Sequence, residues 1–266
     1  MTSLLRADLL KLRKRPMGWV MLIIIALFVP LLMLPSAFLS PGNVNYAFPA
    51  GFLEGLTPLP FVGTFIMIVL GAILVGTEYG YDTWKNLLIR RPGRTPLILS
   101  KWSMLVVATG VGLIVLLPLG QLIGWIVDAA LHLSGPAVSL SPGSALLLIL
   151  LQTLLPLIAG SIALMGAVIG RSSVAGIVIG IAWFLADSLL GGLLPLASLS
   201  SSIGVLQAQI TGVALSNNGS IAQVHLGGAL AGPLWIAPGL LLVAYLVIPI
   251  AIAAFLFRRR DMLGVG

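Results

Sequence analysis

Residues 78–101 read EYGYDTWKNLLIRRPGRTPLILSK, from Glu78 to Lys101, and carry the cations Lys85, Arg90, Arg91, Arg94 and Lys101. An apolar run precedes this segment at 60–77 and another follows at 102–127. Working outward, the remaining cations sit before the first apolar run (Arg6, Lys11, Arg13, Lys14, Arg15), between the fourth and fifth (Arg171) and after the sixth (Arg258, Arg259, Arg260). All 14 Lys and Arg residues therefore fall in alternate connections. That alternation is the charge bias of a polytopic membrane protein. A hydrocarbon core about 30 Å thick takes about 20 helical residues, and six runs qualify: 17–39, 60–77, 102–127, 144–170, 174–194 and 234–257. The fold expected is an all-α membrane protein with six transmembrane helices and both termini cytoplasmic. An N-terminal interfacial segment (1–16), a six-span domain (17–257) and a short cytoplasmic tail (258–266) divide the chain.

Composition agrees. The chain is 59% hydrophobic and 8% charged, against about half and a quarter in soluble domains. A net charge of +7 would suit nucleic acid if the cations covered one face. Here they hug the ends of apolar runs, so anionic lipid headgroups are the expected partner and nucleic acid is not. The absence of cysteine excludes disulfides, thiolate metal sites and Cys nucleophiles. The first fifteen residues are charged and lack a small-residue cleavage site before a short apolar core, so no removable signal peptide is expected.

The outward connections, 40–59, 128–143 and 195–233, hold Glu54, Asp128, His132 and His225 as their ionisable groups. The last is too long for a bare connection and too apolar to lie free in water. Interfacial or re-entrant helices are expected near 193–206 and 220–230, because irregular backbone is tolerated at membrane depth where protein covers it. Within the spans, Pro30, Pro118, Pro156 and Pro249 each remove a backbone donor. The pairs Gly120/Gly124, Gly166/Gly170 and Gly176/Gly180 permit close helix approach, either within one chain or between copies.

Few groups could do chemistry. The chain has no phosphate-binding Gly-x-x-x-x-Gly-Lys-Ser/Thr loop, no His-Glu-x-x-His helix and no Gly-x-Ser-x-Gly elbow. Two histidines 93 positions apart, His132 and His225, make a poor metal site. Asp187 is the acidic residue inside a predicted span, about two turns from its outer end. An ionised side chain at the bilayer centre costs at least ~2.5 kcal/mol, so Asp187 either serves structure near the interface or lines a translocation path.

Segment 78–96 is the richest. Asp82 or Thr83 can cap a short helix on which Trp84, Leu87 and Leu88 share one face while Lys85 and Arg90 point elsewhere. Pro92-Gly93 ends it, and Thr95-Pro96 starts the helix that runs into the third span. Such an element suits either docking against a soluble partner or binding headgroups. At the N-terminus Met1, Leu5, Leu9 and Leu12 form an apolar stripe, with Arg6, Lys11 and Arg13 to Arg15 turned away, as in a helix lying in the interface.

Taken together, the basic amphipathic N-terminus, the six spans and the 78–101 segment resemble the permease subunits of the ABC type-2 family. The positions that carry the resemblance are Glu78, Thr83, Leu87, Leu88, Pro92, Arg94 and Lys101. The run Thr83-Trp84-Lys85-Asn86-Leu87-Leu88 is similar to the branch associated with bacteriocin and lantibiotic self-protection and bacitracin-type resistance. Tyr81-Asp82 departs from the usual Gly before Thr. The resemblance implies a multi-pass permease of a bacterial inner (plasma) membrane that is not itself an enzyme. Glu78, Thr83, Trp84, Lys85, Leu87, Leu88, Arg91 and Arg94 would form its coupling element to a separate ABC ATPase subunit. No cofactor would bind this chain; ATP and Mg would sit on the ATPase. A second permease copy or paralogue would complete the unit. The implied cargo is a peptide, antibiotic or other amphipathic compound, and the two other readings are a membrane scaffold or sensor and an intramembrane enzyme.

Overall fold

Apolar runs free of charge become helices in hydrocarbon because each backbone donor and acceptor must find its partner within the segment. The computed structural model describes residues 16–39, 45–80, 94–133, 142–194, 198–211 and 236–259. Among them the chain is helical and without strands: α1 (Pro16–Leu39), α2 (Ala50–Glu54), a π-turn (Leu59–Gly63), α3 (Thr64–Gly80), α4 (Arg94–Leu131), α5 (Pro142–Gly170), α6 (Ser173–Leu193), α7 (Leu199–Thr211) and α8 (Ile236–Arg259). Six of these stretches are long and apolar enough to cross a membrane. The six-span expectation therefore holds, and the chain is a multi-pass membrane protein.

The first departure is at the second crossing, which begins earlier than position 60. Ala50–Glu54 forms a short helix whose following Gly55 meets the backbone of α4 at Leu116 and Gly120. Pro58 caps the π-turn and Pro60 lies in its first positions, and Gly63 N–H donates to the Pro58 carbonyl across five residues. The third crossing is also longer than expected, 38 residues from Arg94, so Thr95 and Pro96 lie in its first turn. Pro30, Pro118, Pro156 and Pro249 all lie within helices that continue past them, as does Pro35.

Two bodies can be told apart by how their helices touch. In the first, α3, α5 and α6 meet backbone to backbone. A Cβ on Gly71 of α3 would collide with the Gly160 carbonyl of α5, and one on Gly176 of α6 with the Ala163 carbonyl. Gly166 and Gly170 admit Ile179 and Ala175 of α6, and Gly180 admits Ile68 of α3. In the second body α1 and α2 pack on α4, with Gly120 against Gly55 and Gly124 against Tyr46. All three glycine pairs expected from sequence are thus used inside one chain. The helix α8 bridges the bodies, and α7 tucks against α5, α6 and α8 through Leu199, Ile203 and Leu206. That matches the folded-back helix expected near 193–206; the one expected near 220–230 lies outside the described residues.

Outward faces are apolar: Trp19, Ile23, Leu27 and Leu31 on α1, Val174, Val178, Leu185 and Leu189 on α6, Val243 and Val247 on α8 are all exposed. In water this would be an aggregation surface; in a bilayer it faces lipid. Every described Lys and Arg (Arg94, Lys101, Arg171, Arg258, Arg259) lies at or near the helix ends that share one side of the bundle, the basic end. Arg171 there makes the tight α5–α6 turn at φ 52°, after which Ser172 caps α6 by accepting from Ala175 N–H at 3.1 Å. Arg259 lies 4.4 Å from the centre of the Phe255 ring.

Candidate functional site

The roots of segment 81–93 are Gly80, which ends α3, and Arg94, which opens α4. Two residues inside the first root and seven inside the second, Lys101 Nζ donates to Glu78 Oε1 at 2.6 Å. Both side chains are withdrawn from solvent, at 5% and 8% exposure. Their surroundings are apolar: Val75, Leu97, Ile98, Leu105 and Phe257 build the core at this end, with Tyr79 and Trp102 against it. A buried pair of this kind is balanced only while both partners are present, and removing one costs about 3–5 kcal/mol through the orphaned charge.

The next residue, Trp102, turns the other way and donates its indole N–H to Ser161 Oγ of α5 at 3.1 Å. Ser161 in turn donates to the Leu157 carbonyl at 2.8 Å. Successive residues of α4 are thus fastened to α3 and to α5. Sequence reading named Glu78 and quoted Lys101 without pairing them; two opposite charges just inside the facing ends of consecutive spans were the available signal. Trp102 and Ser161 carried none, because a tryptophan at a span end is ordinary in membrane helices.

Of the other expected coupling residues, Thr83, Trp84, Lys85, Leu87, Leu88 and Arg91 lie outside the described residues, as do the N-terminal stripe and His225. Arg94 is the first residue of α4.

At the opposite end, Asp187 of α6 is buried, at 2% exposure. Its Oδ1 accepts from Leu199 N–H at 2.7 Å, and its Oδ2 accepts from Ser200 N–H at 3.0 Å and Ser200 Oγ at 2.8 Å. Ser198 Oγ accepts from Ser201 N–H at 3.1 Å. The start of α7 is therefore capped twice, by Ser198 and by a carboxylate placed where the helix dipole favours negative charge. Both Asp187 oxygens are occupied by protein, which favours the structural reading of this residue over a path-lining one. A second anchor at this end joins the 45–49 loop to the bundle: Gln121 Nε2 donates to the Tyr46 carbonyl at 3.2 Å, and Tyr46 Oη donates to the Met33 carbonyl at 2.9 Å. Phe61 of the π-turn and Phe65 of α3 stack edgewise with Phe184 of α6 on that side.

Residues 4–187 of the 266 match the family model described as ABC-2 family transporter protein. Comparison with curated proteins and with solved structures returns no match. The matched region takes in the first four crossings, segment 81–93 and most of α6 up to Asp187. With well over half of its length covered by that model, the chain belongs to the ABC-2 transporter family.

Proposed function

We infer that this chain is a transmembrane permease component of an ABC transporter, a family whose permeases generally pair with ABC ATPase subunits. We propose that it is the permease of a bacterial inner-membrane exporter that carries a peptide, antibiotic or other amphipathic compound. Two permeases and two ATPases make the working unit, with ATP and Mg bound on the ATPases. Segment 81–93 is the coupling element, in which Trp84, Leu87 and Leu88 meet the ATPase, and Glu78, Thr83, Lys85, Arg91 and Arg94 belong to the same element. The similarity of the Thr83 to Leu88 run to the bacteriocin-immunity and bacitracin-resistance branch supports the choice of cargo class.

The observation that carries this reading is the position of the roots. Gly80 and Arg94 end two membrane-crossing helices on the side of the bundle that holds every described cation, the side that charge bias turns to the cytosol. ATP-driven approach of the ATPases would move this segment and shift the bundle between inward-open and outward-open populations, to the extent that nucleotide binds the two states differently. The test is Trp84→Ala, and Leu87→Ala with Leu88→Ala, in the complex with its ATPase. Hydrolysis continuing without transport, in a chain that still inserts, is expected; normal assembly and transport in both variants would overturn the assignment.

A further inference from the structure

We infer that the Glu78–Lys101 ion pair is a clasp: two positioning residues that make the roots of segment 81–93 move as one piece, so that a push on the segment reaches both bodies of the bundle. The inference rests on the coupling role proposed above, and concerns how the push is transmitted rather than what delivers it.

The two bodies give the reason. Gly80 belongs to the body of α3, α5 and α6, whose helices touch through backbone at Gly71, Gly160 and Gly176 and cannot slide without losing that contact. Arg94 opens α4, which is fastened along its far half to α1 and α2. Segment 81–93 therefore straddles the boundary between the bodies. A force on it could be absorbed by α4 sliding along α3 over the apolar core they share through Val75, Leu97, Ile98 and Leu105, with less delivered further. The ion pair crosses that boundary two residues from Gly80 and seven from Arg94, at 2.6 Å, and the Trp102–Ser161 bond crosses it again beside the pair.

The choice of a charged pair at this place is informative. Apolar residues of similar volume would hold the helices together as well or better, but their contacts are non-directional and let one helix slip over another. A short, charge-assisted bond fixes a distance and a direction. Neither side chain reaches the surface, so neither touches the ATPase directly; both act on where the segment's two ends lie.

The chain has no cysteine, so spin-label pairs can be placed by single substitutions in the assembled permease–ATPase complex in nanodiscs. One pair, Gly80→Cys with Pro96→Cys, reads the roots; the other, Phe48→Cys with Leu193→Cys, reads the far end across the two bodies. All four positions are exposed. In the native background the root distance should be narrow with ADP and with vanadate-trapped ATP alike, while the far-end distance shifts between the two. In Glu78→Gln/Lys101→Met the root distribution should broaden and the far-end shift should disappear. The reversed pair, Glu78→Lys/Lys101→Glu, should restore both. Narrow roots and a native far-end shift in the neutral variant would overturn the clasp alone. No far-end shift in the native background would overturn the coupling reading, and the clasp with it. Should the neutral variant fail to insert, the reversed pair decides: restored behaviour supports the clasp, and broad roots without a shift overturn it.

Discussion

Asp187 and Ser200 are joined twice, through the Ser200 backbone N–H at 3.0 Å and its hydroxyl at 2.8 Å, both to the same carboxylate oxygen. With Leu199 N–H on the other oxygen, this fastens the start of α7 to the outer part of α6. A carboxylate that would be costly in hydrocarbon is thereby made into a local anchor.

Asp187→Ala should release the start of α7, leaving the buried Leu199 N–H and the half-buried Ser200 N–H without their acceptor, at a cost of about 1–3 kcal/mol for the first and less for the second. Amide hydrogen exchange over 199–211 should rise while that of α5 stays slow. Asp187→Asn, which keeps one acceptor oxygen, should fall between. Unchanged protection of α7 in the alanine variant would show that its apolar contacts alone hold it.

The α3–α5 contact leaves no room for a side chain at Gly71. Gly71→Ala should lower thermal stability in detergent by an amount corresponding to about 1–3 kcal/mol, the usual penalty of overpacking. Gly110→Ala on α4, where nothing lies within 4 Å, is the control and should lose none. Equal stability of the two would contradict the backbone contact described for α3 and α5.

Tyr46 lies in the 45–49 loop, and the pKa of its phenol is raised above the ordinary 10.0, chiefly by burial; the Ser36 hydrogen bond opposes this and the Glu54 charge adds to it. The folded chain thus holds the proton more tightly than the unfolded one. Its contribution is full below the unfolded value and is lost as pH rises through the higher folded value. Tyr46→Phe should cost about 1 kcal/mol at neutral pH through the lost bond to Met33. The gap between native and variant should stay constant up to about pH 10 and narrow above it. A gap that widened in alkali would contradict the sign.

Orientation can be checked with single cysteines. Phe48→Cys, exposed in the 45–49 loop, should react with an impermeant maleimide in right-side-out vesicles, and Trp84→Cys only in inside-out ones. The reverse pattern would turn the bundle over and remove segment 81–93 from any cytosolic ATPase.

Much of this architecture was legible because length, hydropathy and charge alternation act on whole segments. All six crossings appear within a few residues of expectation except where α2 and the π-turn extend the second one and Arg94 starts the third early. Those extensions depend on contacts with distant helices, Gly55 against α4 and Leu97 in the core that also holds Phe257, which no local pattern announces. The same holds for the candidate site. Glu78 stood out as an acid at a span end and Asp187 as an acid inside one, yet their partners are 23 and 12 to 13 residues away and come from other helices. Glycine spacing predicted close approach correctly, but not which helix would approach; the tightest contact, Gly71 on Gly160, joins two glycines that belong to no such pair.

The length of α4 has a mechanical meaning. Its 38 residues span about 57 Å at 1.5 Å per residue, roughly 27 Å more than the hydrocarbon needs. Eight residues, 94–101, precede the crossing at 102–127, so its Arg94 end stands about 12 Å beyond the hydrocarbon and about 30 Å from the middle of the helix. On an arm of about 30 Å, a tilt of about 10° displaces the tip by about 5 Å, close to one helical turn, so small rotations deep in the bilayer and large excursions at its surface are one motion seen at two radii.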